Sequence, residues 1–295
     1  EHNKNLVGLE GALKAKIYKF ADYSVEVIHN PAHNLSSFLQ DELVAECTEL
    51  SRDSFENPNI KEEFVRHCVL NSSTILFGRD YEGRLFGYSS NSLKMVDNYH
   101  IIYLQAVAIL KRLQGRGLRP LLHAIKMLED INKIENTGVN PSHILLAGRT
   151  QNPLAFKFYA RQVGLFPQPD GKMDQNIRNL GKKVVYALYS EHYRENGTQI
   201  LFDDQYFVER GAYKSVTQTS SHGIYLSGIP YCRDDDEINQ YMDQHLNWQN
   251  GDAIILLGYY KDEPVKKMFE NAKQNMGFFG VEEIDPEEVV AMSYA

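Results

Sequence analysis

An α/β fold is what this sequence predicts, and three observations predict it. Short runs of alternating apolar and polar residues read as strands, longer runs carry apolar residues at helical spacing, and a glycine-bearing junction joins the two patterns in mid-chain. The chain has 295 residues, which at ~100–200 residues per domain allows one large domain or two modest ones.

The elements follow in order. Residues 24–29 (SVEVIH) alternate and stop at Asn30-Pro31, a turn signal, which makes a first strand. Leu39, Leu43, Cys47 and Leu50, then Ile60, Phe64 and Cys68, stand at helical spacing and predict two amphipathic helices. Residues 74–78 and 84–93 flank a turn at 80–83 and read as a hairpin; 100–109 (HIIYLQAVAI) is a longer strand. From Leu118 the apolar residues Leu121, Leu122, Ile125 and Leu128 switch to the helical period, and Gly138 and Pro141 end that run. Residues 143–148 predict a short strand, Asn152-Pro153 the start of a helix through Gln162, and 183–189 (KVVYALY) a further strand. From residue 24 to 190 the expected order is β-α-α-β-β-β-α-β-α-β.

The polar stretch 190–199 contains Asn196-Gly197 and predicts a boundary. The expected organisation is an N-terminal segment 1–20, a main domain 21–195, and a C-terminal α/β domain or extension 196–295. In that last part, 199–208, 223–228 and 253–260 look strand-like, Asp234-Asp235-Asp236-Glu237 opens a helix, and 264–275 is helical. The acidic end, with Glu282, Glu283, Asp285, Glu287 and Glu288, predicts a solvated, mobile tail. ILLAG at 144–148 before Asn152-Pro153 is echoed by IILLG at 254–258 before Glu263-Pro264. Any strand-to-helix unit with a first-turn proline would look so, and a degenerate second copy of the first domain is the sharper alternative.

Composition removes several functions. Hydrophobic residues are 43% and charged residues 24%, ordinary for a globular chain, and no window nears the ~18 unbroken apolar residues of a spanning helix, so no membrane partner is expected. Residues 1–20 lack the apolar core of a secretory signal, and three cysteines without C-x-x-C argue against a disulfide framework or zinc site. A cytoplasmic location and no metal are expected. A net charge of −8 weighs against nucleic acid as a partner.

The informative segment is Gln114-Gly115-Arg116-Gly117-Leu118-Arg119-Pro120, between an apolar strand and an amphipathic helix. Two glycines there allow left-handed backbone close to a ligand, and the first-turn N–H groups of the helix lack intrahelical acceptors, which makes an anion site. Lys111, Arg112, Arg116, Arg119 and Lys126 add positive charge with no acid between them, and phosphates are the natural counter-charge. A solvated basic face on an ordinary turn is the bland alternative. The P-loop pattern is absent, and G-x-G-x-x-G fails at Pro120.

These residues resemble the acetyl-CoA signature of the GCN5-related N-acetyltransferases (GNAT), [Q/R]-x-x-G-x-[G/A], as Gln114-x-x-Gly117-x-Arg119, with Arg in place of the final small residue. The offset reading Arg112-x-x-Gly115-x-Gly117 completes the pattern on the same turn. A second match is Asn152, Tyr159 seven residues later, then Gly164-Leu165-Phe166. The resemblance covers about 21–190. It implies a central mixed sheet flanked by helices and acetyl-CoA as cosubstrate. It also implies main-chain contacts from Val107, Ala108 and Ile109 to the acyl-pantetheine, and N–H groups of Gly115 through Arg119 facing the pyrophosphate. Asn152 would then fix the cosubstrate and Tyr159 protonate the departing thiolate; without that context Tyr159 reads as a core aromatic. Where the family often has a Glu on the fifth strand this chain has Ala147, so His100 and His143 at two strand starts are the candidate bases, each also readable as a surface histidine. His192, His222 and His245 receive no role; Cys232 beside Arg233 is readable as an activated thiol, but a lone cysteine without an evident partner is more often inert.

The resemblance implies acetyl transfer to an amine of a small molecule or protein. A non-catalytic acyl-CoA-binding or protein-interaction module is the alternative. Residues 196–295 would cover the acceptor side, form a homodimer contact or recruit a protein partner.

Overall fold

In a computed structural model, residues 15–214, 216 and 223–286 are described. In chain order the elements begin with β1 (Ala15–Phe20), β2 (Tyr23–His29), α1 (Pro31–Asn34), α2 (Ser37–Ser54) and α3 (Glu62–Leu70). Then come β3 (Thr74–Asp80), β4 (Leu85–Val96), β5 (Tyr99–Ile109), α4 (Leu118–Glu135), β6 (Ile144–Thr150) and α5 (Pro153–Lys157). The chain continues with α6 (Gln175–Glu195), β7 (Phe202–Asp203), β8 (Val208–Glu209), α7 (Asp236–His245), β9 (Ala253–Tyr259), α8 (Asp262–Met276) and β10 (Phe278–Ile284). The strands make a mixed sheet flanked by helices, as the sequence predicts.

The chain divides into two compact units. The first comprises Glu1–Leu93, Gln105–Val139 and Asp262–Ala295. Its strand order is β10-β1-β2-β3-β4, antiparallel throughout. α4 lays Leu118, Leu121, Leu122 and Ile125 against Val25, Val27, Leu76 and Phe86, so the helical period read from the sequence is the core-facing stripe. The strand β1 lies within the segment expected to precede the fold; alternation over only six residues, with Lys16 and Lys19 between apolar positions, is a weak signal, and pairing with β2 and β10 decides it. The acidic end behaves similarly. Glu282 and Glu283 stand in β10 opposite Ile17 and Lys16, which replaces the mobile tail; Glu287 and Glu288 lie outside the described residues.

The second unit comprises Lys94–Leu104 and Asn140–Lys261. Its strand order is β5-β6-β9-β8-β7. β5 and β6 run parallel from His100 opposite Ile144 to Leu104 opposite Gly148, and β9 pairs antiparallel on the other side of β6. The expected strand 183–189 is instead the second half of α6. Seven residues of KVVYALY satisfy either period, but over the longer run Ile177, Leu180, Gly181, Val184, Val185 and Tyr189 are buried at helical spacing. Asp174 caps this helix by accepting from the Ile177 N–H at 2.9 Å. Gly181 sits in mid-helix because a Cβ there would lie 2.7 Å from Phe207 Cζ.

The boundary expected at residue 196 falls inside the second unit, at the end of α6; of the described residues after it, those up to 261 belong to this unit and 262–286 to the first. The run 199–208 forms only the short strands β7 and β8, and 223–228 forms none. Between them the positive-φ residue Phe207 breaks the alternation.

Candidate functional site

The turn from β5 to α4 lies in the first unit. Gly115 and Gly117 adopt φ of 80° and 81°, left-handed conformations that cost an L side chain. Space does not demand these glycines: a Cβ on Gly115 would meet nothing within 4 Å, and one on Gly117 only Met276 Cε at 3.6 Å. Among the described residues, the N–H groups from Gly115 to Arg119 have no hydrogen-bond acceptor, and Leu121 is the first to bond back, to the Gly117 carbonyl. Residues 114–117 are exposed, Arg119 is half-buried and Leu118 is buried, at the positive end of an 18-residue helix. Arg112, Arg116 and Arg119 have no carboxylate partner among the described residues, whereas Lys111 pairs with Glu56 at 3.0 Å.

Three sequence expectations change here. Lys126, counted with the basic face, is wholly buried and donates to the Ser90 carbonyl at 3.4 Å. Gln114 does not reach outward: its amide nitrogen donates to the Ile109 and Ser54 carbonyls, both at 3.0 Å. The Ile109 N–H, expected to meet the pantetheine, donates to Ser54 Oγ at 3.2 Å, so both main-chain groups of Ile109 are engaged within the protein. Helix α2 ends beside the strand exit and supplies a partner that strand periodicity could not show. Val107 and Ala108 lie in β5 just before this exit, and Ala108 is buried, its carbonyl turned toward Gly87.

The remaining candidates belong to the second unit. Asn152 caps α5, its side chain accepting from the Leu154 N–H at 2.9 Å, while its own N–H donates to Thr150 Oγ1. α5 gives way after Lys157 to a π-helical segment, Phe158–Val163, ending at Gly164 with φ 80°. Such widened turns recur at functional sites. Tyr159 stands in this segment, buried, its ring 5.1 Å from that of Phe158. Ala147 is buried in β6 opposite Tyr103 and Leu257, with no carboxylate in its place.

His100 and His143 are brought together at the end of β6 away from Asn152. Parallel pairing puts both at the starting end of β5 and β6, where burial, then the neighbouring His143, lowers the His100 pKa. Asn152 follows the other end of β6, and seven strand residues rise roughly 20 Å. The histidines therefore stand a strand's length from the residue that starts α5.

Two buried charge systems escaped the sequence reading. In the first unit, Glu129 on α4 accepts from Tyr18 at 2.5 Å and Lys16 at 3.2 Å, and His29 Nε2 lies 3.2 Å away. Burial opposes its ionisation, but the hydrogen bonds from His29 and Tyr18 and the charge of Lys16 prevail and hold it at about 2. In the second unit, Arg149 pairs with wholly buried Glu209 at 3.1 Å, its guanidinium 4.3 Å from the Tyr189 ring centre and 5.0 Å from that of Tyr213. Charged residues at helical spacing on α4 signal a solvated face, and only the sheet opposite reveals their partners.

No protein-family model matches the chain, and no curated protein does. Among solved structures it is similar to a GNAT family acetyltransferase from Elizabethkingia anophelis with acetyl-CoA bound, at 12% identity over 80% of this chain and 97% of that one, TM-score 0.34. It is similar to the GCN5-related glucosamine N-acetyltransferase region of a fungal multi-domain β-N-acetylglucosaminidase, at 11% identity over 89% and 37%, TM-score 0.40. It is also similar to the NatC complex bound to Gag peptide and CoA, at 14% identity over 57% and 92%, TM-score 0.35.

Proposed function

We propose that this chain binds acetyl-CoA through the turn Gln114–Arg119 and transfers the acetyl group to an amine of a small-molecule or protein acceptor. The observation that carries this reading is the row of N–H groups from Gly115 to Arg119 that have no acceptor among the described residues, set by two left-handed glycines and bordered by three arginines with no carboxylate partner among those residues. A pyrophosphate supplies the acceptor oxygens and negative charge such a turn lacks. Attack by a neutral amine on the thioester carbonyl forms the amide and breaks the C–S bond; the amine loses a proton and the departing thiolate gains one. Tyr159 is the proposed donor of that proton.

The absence of a carboxylate at Ala147, and the distance of His100 and His143 from Asn152, favour a second reading: a module that holds acyl-CoA without turnover. Calorimetric titration with acetyl-CoA tests the shared step. Replacing Arg112, Arg116 and Arg119 together by alanine should weaken binding at least ~10-fold, the loss of one or more charge-assisted contacts. Unchanged affinity in the triple variant would sink the assignment of the turn. Release of CoA thiol with candidate amines then separates an enzyme from a binder.

A further inference from the structure

We infer that Asp53 and Ser54, at the end of α2, are positioning residues for the turn 114–119; this rests on the function proposed above. The two residues grip the chain where it leaves β5. Ser54 Oγ accepts from the Ile109 N–H at 3.2 Å, and Asp53 Oδ2 accepts from the Lys111 N–H at 2.7 Å. Between them the Leu110 N–H donates to the Phe86 carbonyl at 2.9 Å. Three consecutive main-chain donors are thus claimed by two different elements, α2 and β4. Gln114 closes the arrangement from the far side of the exit, donating to the Ser54 carbonyl, to Ser54 Oγ and to the Ile109 carbonyl at 3.0, 3.2 and 3.0 Å.

The consequence is geometric. Gln114 is the residue at which the turn begins, and both ends of the segment 109–114 are tied to the same helix terminus. The N–H groups of Gly115 through Arg119 follow directly, so their direction depends on this tie. A site built from main-chain donors has no side chain to readjust, and a small rotation at its root misdirects every donor at once. Ser54 is buried and Asp53 exposed, so the two can be altered with different risks to the fold.

The test uses the full chain and acetyl-CoA as the probe. Ser54→Ala removes the acceptor for the Ile109 N–H, and Asp53→Ala the acceptor for the Lys111 N–H. Each should weaken acetyl-CoA binding ~10-fold, the equivalent of about one hydrogen bond lost at the site, while the melting temperature of the exposed Asp53→Ala variant stays near that of the parent. Asp53→Asn keeps an acceptor oxygen and should restore affinity. Amide exchange supplies a readout independent of the ligand: the Ile109 and Lys111 N–H groups should exchange faster in the respective alanine variants. Parent-like affinity in both alanine variants overturns the inference, as does failure of Asp53→Asn to restore it. If the parent binds no acetyl-CoA, the proposed function fails, and unaltered exchange at Ile109 and Lys111 would overturn the clamp itself.

Discussion

The amine nitrogen of Lys126 lies 3.4 Å from the backbone carbonyl oxygen of Ser90, inside the first unit, with the whole side chain out of contact with solvent. Burial disfavours its charged form; Asp130 opposes this and Arg119 adds to it, and the outcome is a pKa of about 7. α4 therefore presents an ionisable amine to the sheet two turns past Arg119, the helix's one arginine.

Stability should follow this group in a defined direction. The folded pKa of about 7 lies below the ordinary 10.5, so between those values the unfolded chain holds a proton that the folded chain does not. Stability must rise with pH across that window, by at most about 1.4 kcal/mol per pH unit from this group. Urea denaturation at a series of pH values, for the parent and Lys126→Met, isolates the slope. Equal slopes in the two proteins would mean that Lys126 keeps its ordinary pKa.

Arg149 and Glu209 yield a prediction for the second unit. Because Glu209 is fully buried and Tyr193 also donates to it at 2.8 Å, Glu209→Gln leaves the Arg149 guanidinium without its counter-charge. A loss of about 3 kcal/mol is expected, the scale of a buried pair broken on one side. Replacing both residues, Arg149→Met with Glu209→Leu, should recover much of that loss, since two uncharged side chains leave no charge unpaired. A double variant no more stable than the single one would show that the tyrosines around Arg149, and not the ion pair, carry the energy.

Tyr159→Phe removes one hydroxyl and keeps the ring against Phe158. If Tyr159 protonates the thiolate, kcat should fall at least ~10-fold, with acetyl-CoA affinity and melting temperature close to those of the parent. Normal turnover with a shifted melting temperature would make Tyr159 a packing residue.

Local chemistry determined much of this molecule in the sequence. The hairpin of β3 and β4, helix α4 with its apolar stripe, the strands β6 and β9, and the left-handed glycines at 115 and 117 were all legible, because each depends on spacing or on the dihedral freedom of a few consecutive residues. Where a segment's state depends on what lies against it, only the tertiary structure decided. KVVYALY at 183–189 suits either period, and the faces it buries on Phe207 and its neighbours make it helix. Pairing with β1 makes a strand of Glu282 and Glu283. Lys126 reads as a surface cation until β4 covers it, and parallel pairing sets His100 and His143 at the opposite end of β6 from Asn152, a separation that strand periodicity does not show. The site divides in the same way. The left-handed turn at 115–117 was visible because backbone geometry is written in its glycines, while the hydrogen bonds that Asp53 and Ser54 accept from the strand exit before it join residues more than fifty positions apart. Periodicity reports the neighbours of a residue along the chain, and burial and hydrogen bonding are settled by its neighbours in space.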